Sequence, residues 1–270
     1  SFETSFFFFF FLSIRNHRIM KDLKVSLVQC NQIWEDKEAN LAHFDELLKA
    51  VQLPTDIIIF PEMFQTGFSM NPASMAESMD GESINWLKEK AKKYDSAIAA
   101  SLIIKEGDYY QNRFVFVLPN GEVKTYNKRK LFTFSKEEQH YHAGNEQVIV
   151  EYKGWNILLQ VCYDLRFPEF QRNNVKNGQY AYDLMINVAN WPEKRSLHWR
   201  TLLQARAIEN QCYVIGVNRV GEGAKGLLYS GDSMIVSPAG LIENHVSYDE
   251  MIINDEIEVE TLKEVRKLLP

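Results

Sequence analysis

The chain has 270 residues, a formal net charge of −6 and three cysteines. That length allows one large α/β domain whose core needs no metal or disulfide to hold it. The acidic balance argues against a nucleic-acid partner, since the densest basic run is the short "NKRK" at 127–130.

The first stretch, "SFETSFFFFFFLSIRNHRIM", holds an apolar run at 6–12 that is too short to span a bilayer. No basic segment precedes it and no small-residue cleavage site follows, so it is a poor signal peptide. Met20 opens an ordinary strand-forming segment. Residues 1–19 are therefore expected to be a non-native or disordered extension, and 20–270 a single domain with no membrane segment.

"KVSLVQC" (24–30) alternates and is rich in β-branched residues, which predicts a strand. Residues 35–51 place Leu41, Phe44, Leu47, Leu48 and Val51 at helical spacing. "DIIIFPE" (56–62) is an apolar strand stopped by Pro61, 82–95 an amphipathic helix, and 96–106 a buried strand. Residues 110–128 form a hairpin around Pro-Asn-Gly. "WNILLQVC" (155–162) is a strand, and "FPEFQRNNVKNG" (167–178) starts a helix at its proline. Residues 182–191 are a strand and 196–211 a helix; 212–221 and 230–246 are strands, the second turning at Pro-Ala-Gly. The C-terminal residues are polar with weak helical spacing. Strands alternating with helices, with hairpins between, predict α/β layers around a mixed sheet.

Cys30, Cys162 and Cys212 form no CxxC pair, so zinc and thioredoxin-like patterns are weak and a reducing, cytoplasmic compartment is expected. "HYH" at 140–142 lacks further ligands at metal spacing. Cys162 is the thiol that stands out, because it ends a strand and opens the turn "CYDLRFPE". Such a turn exposes a side chain and leaves the Tyr163 N–H free as an oxyanion donor. A following helix would favour a thiolate, although a buried structural cysteine is equally compatible with this segment. A thiol nucleophile needs a base. His140 and His198 are possible, and Glu62, at the end of an apolar strand, is a carboxylate where the sheet opens. Lys128 would stabilise an oxyanion and favour the thiolate, or else lie on a solvated face. Glu137 and Glu138 could supply a second carboxylate.

Taken in order, "FPEMFQTGF", "YNKRKLF" and "CYDLRFPE", followed by "NVANW" (187–191) and "ARAIENQCYVIGVNRVG" (205–221), resemble the Glu, Lys and Cys signatures of the nitrilase superfamily of carbon–nitrogen hydrolases. The resemblance covers residues 22–255, and is greatest to the omega-amidase branch. It implies a four-layer α-β-β-α sandwich that assembles as a homodimer or larger, with no metal or organic cofactor. It implies Glu62 as general base, Lys128 as oxyanion stabiliser, Cys162 as nucleophile and Glu137, or its neighbour Glu138, as the second glutamate. One departure is Lys130, where many members carry a histidine. The implied reaction hydrolyses a small linear amide, such as a 2-oxo acid amide, through a cysteine thioester. An N-carbamoyl amidohydrolase, an aliphatic nitrilase or an inactive binding protein are the alternatives. Tyr163, Arg166, Trp191, Phe64, Phe68 and Phe132 are candidates for the pocket wall. Arg166 and Arg195, and more weakly Lys130, are candidates for a substrate carboxylate, unless the arginines serve structural ion pairs.

Overall fold

The central strands Ile57–Ile59, Trp155–Val161, Leu184–Ala189 and Tyr213–Asn218 are apolar almost throughout and bury both faces. In the computed structural model, which describes residues 19–269, that double burial is met by sheets packed between a second sheet and a helix layer. Residues 1–18, nearly all of the expected extension, lie outside the described residues.

In chain order, β1 spans Leu23–Gln29, α1 Lys37–Leu47, β2 Ile57–Ile59, α2 Pro72–Met75, α3 Glu82–Tyr94, β3 Ala97–Glu106, β4 Tyr109–Val117 and β5 Val123–Asn127. Next come β6 Ile149–Tyr152, β7 Trp155–Val161, the small hairpin β8 Val175–Lys176 and β9 Gln179–Tyr180, β10 Leu184–Ala189 and α4 Ser196–Asn210. The chain closes with β11 Tyr213–Asn218, β12 Val220–Glu222, β13 Leu228–Val236, β14 Ile242–Ser247, β15 Met251–Ile257 and α5 Val259–Leu268.

One sheet has the order β15-β1-β2-β3-β4-β5; the other has β12-β13-β11-β10-β7-β6, with β14 also paired to β13. The centre of each is parallel: β1 with β2 and β2 with β3 in the first, β7 with β10 and β10 with β11 in the second. Leu23, Val25, Leu27, Ile57, Ile59, Ala97 and Ala99 turn toward the second sheet and join Ile157, Leu159 and Ile186 in one core. Their alternates Val28, Ile58, Ile98, Ala100 and Leu102 face Leu41 and Phe44 of α1 and Leu87 and Ala91 of α3. On the far side α4 lays Trp199, Leu203 and Ala207 against the second sheet, and the Trp199 indole N–H donates to the Asp232 carbonyl at 2.8 Å. The layers are therefore α-β-β-α. Each fully buried large apolar side chain contributes roughly 1.5–3 kcal/mol relative to exposure. Local signals agree with the ends of the helices: the Asp36 carboxylate caps α1 by accepting the Ala39 N–H at 3.0 Å.

Two segments depart from the sequence-based expectation. The helix expected from Pro168 is a single 3-10 turn, Pro168–Phe170, followed by the β8–β9 hairpin. Asn and Gly at 173, 174, 177 and 178 favour turns over helix there. The polar C-terminal region contains β15, which pairs antiparallel with the whole of β1. As an edge strand it needs little apolar patterning, so its acids hid it.

Candidate active site

The parallel strands of both sheets deliver their carboxyl ends to one place, as open α/β sheets do. Glu62 follows β2, Cys162 follows β7 directly, Asn190 follows β10 and Asn218 closes β11. Lys128 follows β5, and its N–H donates to the Asn112 carbonyl of β4 at 2.9 Å. Gly144 is also held close to this strand end: a Cβ there would lie 2.3 Å from the Asn127 carbonyl oxygen.

Cys162 sits at φ +45°, a left-handed backbone that costs a non-glycine residue roughly 1–3 kcal/mol. It opens a 3-10 turn, Cys162–Arg166. The Tyr163 N–H lies in the first turn of that element, before 3-10 bonds can use it. The thiol's Sγ is 4.0 Å from the Asn190 carbonyl oxygen.

Lys128 is the hub. Its Nζ donates to Glu62 Oε1 at 2.9 Å and to Glu137 Oε1 and Oε2 at 3.0 and 2.9 Å. All three side chains are fully buried. Glu62 Oε1 also accepts from Asn112 Nδ2 at 2.8 Å, and Oε2 accepts the Asn190 N–H at 2.9 Å. Oε2 thus keeps an acceptor site for a thiol proton. Of the two candidate second glutamates, Glu137 is the one in the cluster; it also accepts the Phe132 N–H at 2.6 Å. Glu138 is exposed. The Phe68 ring centroid lies 5.0 Å from Lys128 Nζ.

The electrostatics follow from burying one cation between two acids. Burial disfavours the Lys128 charge, but Glu137 and Glu62 outweigh it and carry its pKa above the ordinary lysine value. Burial pushes the Glu137 carboxyl up, with Lys128 pulling it back and Glu62 adding to the rise. Burial and then the Glu62 charge hold the Cys162 thiol well above the ordinary value, against the opposing pull of Lys128. The helix field and the lysine expected to favour a thiolate therefore do not prevail. A full helix does not follow Cys162, and desolvation plus a facing carboxylate exceed the lysine's effect. The resting thiol is neutral and must lose its proton during attack.

A cavity of about 940 Å³ opens over Cys162. Tyr163, Arg166, Trp191, Phe68, Phe132 and Arg195 all line it. Glu62, Lys128 and Glu137 are fully buried and do not line it. Phe64 is not part of it. This expected wall residue is fully buried in the helix-side core, 5.6 Å from Phe44 and 5.4 Å from Phe60 between ring centroids. The turn after β2 points Phe64 toward α1, away from the cavity. Lys130 is not in the lining; its Nζ lies over the Phe167 ring at 4.6 Å. The alternative bases are also placed elsewhere. His198 is exposed, its Nδ1 accepting from Arg166 Nη2 at 3.0 Å, and His140 is exposed beside the Glu137 turn.

Arg166 and Arg195 make no ion pair with a carboxylate among the described residues. The Arg166 guanidinium carbon lies 4.8 Å from the Trp191 ring, and that of Arg195 5.2 Å from the Phe132 ring. Burial and the nearby Arg195 lower the Arg166 pKa. Both guanidinium groups therefore face the cavity, whose lining also holds Lys136, Lys194, Lys225 and one acid, Glu193.

Three residues that orient the cluster were not anticipated from sequence. Asn112 accepts from Ser101 Oγ at 2.9 Å while donating to Glu62. Asn190 gives Glu62 both its backbone N–H and, through Nδ2, a bond to the Glu62 carbonyl at 2.5 Å. Asp164 accepts the Lys130 N–H at 2.7 Å, the Val161 N–H at 3.1 Å and the Tyr126 hydroxyl at 2.7 Å. A polar residue inside an apolar strand, as Asn112 is in "QNRFVFV", was the available signal for the first.

The sequence pattern of the family described as carbon-nitrogen hydrolase matches residues 24–267. The chain is 45% identical to omega-amidase YafV of Yersinia enterocolitica over 252 residues, covering 93% of this chain and 96% of that protein. It is 31% identical to 2-oxoglutaramate amidase of Bacillus subtilis over 249 residues, 91% and 95% of the two chains. Among solved structures, a CN-hydrolase superfamily protein of Xanthomonas campestris, with an arsenic adduct in its active site, superposes with a TM-score of 0.91 at 40% identity, covering 93% of this chain and 96% of that one.

Proposed function

This chain belongs to the carbon–nitrogen hydrolase family and is an enzyme acting on amides; we propose that it hydrolyses the terminal amide of a short 2-oxo acid amide such as 2-oxoglutaramate, through a thioester on Cys162. The observation that carries this substrate is the pair Arg166 and Arg195, which line the cavity together with Cys162 and have no acid partner among the described residues. A substrate carboxylate supplies the missing charge.

Glu62 takes the thiol proton as Cys162 Sγ attacks the amide carbon. The carbonyl oxygen becomes an oxyanion, held by Lys128 Nζ and the Tyr163 N–H. Protonated Glu62 returns its proton to the departing nitrogen, and the C–N bond breaks to release ammonia. The acyl group remains on sulfur. Water then attacks the thioester, with Glu62 accepting a water proton and delivering it to the leaving sulfur. The acid is released and the thiol restored. Glu137 keeps Lys128 charged and aimed through the cycle. Trp191 and Phe132 form the cavity wall.

Among the described residues no helix is long and apolar enough to cross a membrane. Three unpaired cysteines fit a reducing cytoplasm. Leu197 and Ile208, exposed on α4, support a homodimer or larger assembly.

Ammonia release from 2-oxoglutaramate, glutamine, asparagine and an N-carbamoyl amino acid tests the substrate, with Cys162→Ala as control. Release from the 2-oxo amide that disappears in the variant is expected. Preferential release from the carbamoyl compound would overturn the substrate. Unchanged release in Cys162→Ala would overturn the thioester route.

A further inference from the structure

Tyr229 on β13 belongs to no signature of the sequence, yet it lines the cavity that holds Cys162. Its side chain is buried at 7% exposure, and its hydroxyl has no hydrogen-bond partner among the described residues. The ring is fixed on two sides. The Arg219 guanidinium carbon lies 4.7 Å from its centroid. The backbone of Gly223 lies so close that a Cβ there would meet Tyr229 Cε2 at 2.8 Å. A rigid aromatic with an unused hydroxyl in a reaction cavity is a placed donor.

Its surroundings say what it would bind. Arg219 is fully buried. It donates to the Asn31 side chain and to the carbonyls of Gln32, Val220 and Glu222, with no carboxylate paired to it among the described residues. A positive charge therefore stands uncompensated behind the ring. Burial is the largest influence on the Tyr229 hydroxyl and lifts its pKa to about 12 against the pull of Arg219, so it stays protonated at neutral pH; Cys162, Glu62 and Arg195 also act on it. The amide oxyanion already has Lys128 and the Tyr163 N–H, whereas an anionic end of the substrate meets Arg195 and the field of Arg219.

Given that the substrate is a 2-oxo acid amide, we propose that Tyr229 is a specificity-determining residue whose hydroxyl donates a hydrogen bond to an oxygen at the anionic, 2-oxo acid end of that substrate. Tyr229→Phe removes one oxygen and keeps the ring.

The test compares kcat/KM for 2-oxoglutaramate with that for pentanamide, a neutral amide of the same chain length, in the parent protein and Tyr229→Phe. The ratio should fall roughly ten- to a hundredfold in the variant, as expected for a lost bond to a charged acceptor, with most of the loss in KM. A second measurement avoids chemistry. In Cys162→Ala protein, the Kd for 2-oxoglutarate, followed by calorimetry, should rise by a similar factor when Tyr229→Phe is added. An unchanged ratio, or equal losses on both amides, would overturn the role while leaving the substrate assignment intact. A parent protein that hydrolyses pentanamide but not 2-oxoglutaramate would overturn the substrate assignment and the role with it.

Discussion

The Asp164 carboxylate accepts the Lys130 N–H at 2.7 Å, so the turn that carries Cys162 is bonded directly to the strand exit that carries Lys128. Its other oxygen accepts the Tyr126 hydroxyl and the Val161 N–H. Four consequences of the site's geometry follow, each with its own measurement.

Asp164→Asn keeps the shape but offers one acceptor oxygen where the carboxylate offers two. Its amide must then face a backbone or phenolic donor. A buried mismatch of this kind costs about 1–3 kcal/mol. We expect a melting midpoint lower by roughly 2–10 °C, and a fall in kcat larger than any change in KM. A variant with parental kcat would show that the link between the two strand ends does not set the positions of Cys162 and Lys128.

Lys128→Ala leaves Glu62 and Glu137 buried without their cation, and breaking such a pair costs about 3–5 kcal/mol. The pH dependence has a definite sign. The Glu137 carboxyl is raised in the folded protein, so its folding penalty grows as pH climbs from the unfolded carboxylate range through the folded value. Removing Lys128 removes the pull that opposes the rise and widens that window. Urea denaturation should therefore show a smaller deficit for the variant at pH 5 than at pH 8. A deficit independent of pH would contradict the charge coupling.

Cys162 is the thiol that lines the cavity, whereas Cys30 and Cys212 are fully buried. Iodoacetamide should label Cys162 first, as peptide mass spectrometry can show. Because burial and Glu62 hold the thiol well above the ordinary range, its alkylation rate should keep rising with pH beyond 9, the ordinary thiol value. A rate that levels off near neutral pH would mean a preformed thiolate and a different division of labour with Glu62.

Phe64 and Phe132 offer a matched pair. Phe64→Leu loosens the aromatic cluster with Phe44, Phe60 and Trp86 and should cost about 1–2 kcal/mol of stability, with KM unchanged. Phe132→Leu alters the cavity wall and the ring beneath Arg195, so it should raise KM severalfold with a smaller effect on stability. The reverse pattern in the steady-state and denaturation data would put Phe64 back at the substrate.

The stacking of two sheets was implied only by the family resemblance, whereas strand and helix periodicity located most of the strands and helices, because side-chain alternation and helical spacing are local properties of the chain. The apolar strand ending at Glu62, the hairpin leading to Lys128 and the strand ending at Cys162 were legible for that reason. Their roles were not, because each residue alone also fitted a structural reading, and only the resemblance of the three segments in order to the carbon–nitrogen hydrolase signatures implied a common site. The strand β15 was not, because an edge strand tolerates acids and its pairing partner β1 lies more than two hundred residues away. Only the tertiary structure decided between Glu137 and Glu138, which are adjacent in sequence and opposite in burial. Only it turned Phe64 into the core and left Phe68 in the cavity, a difference set by the direction of a turn. It also decided the thiol's protonation, which depends on how much solvent is excluded and which charge faces the sulfur. Those quantities belong to the packing of both sheets together, and no segment of the chain contains them alone.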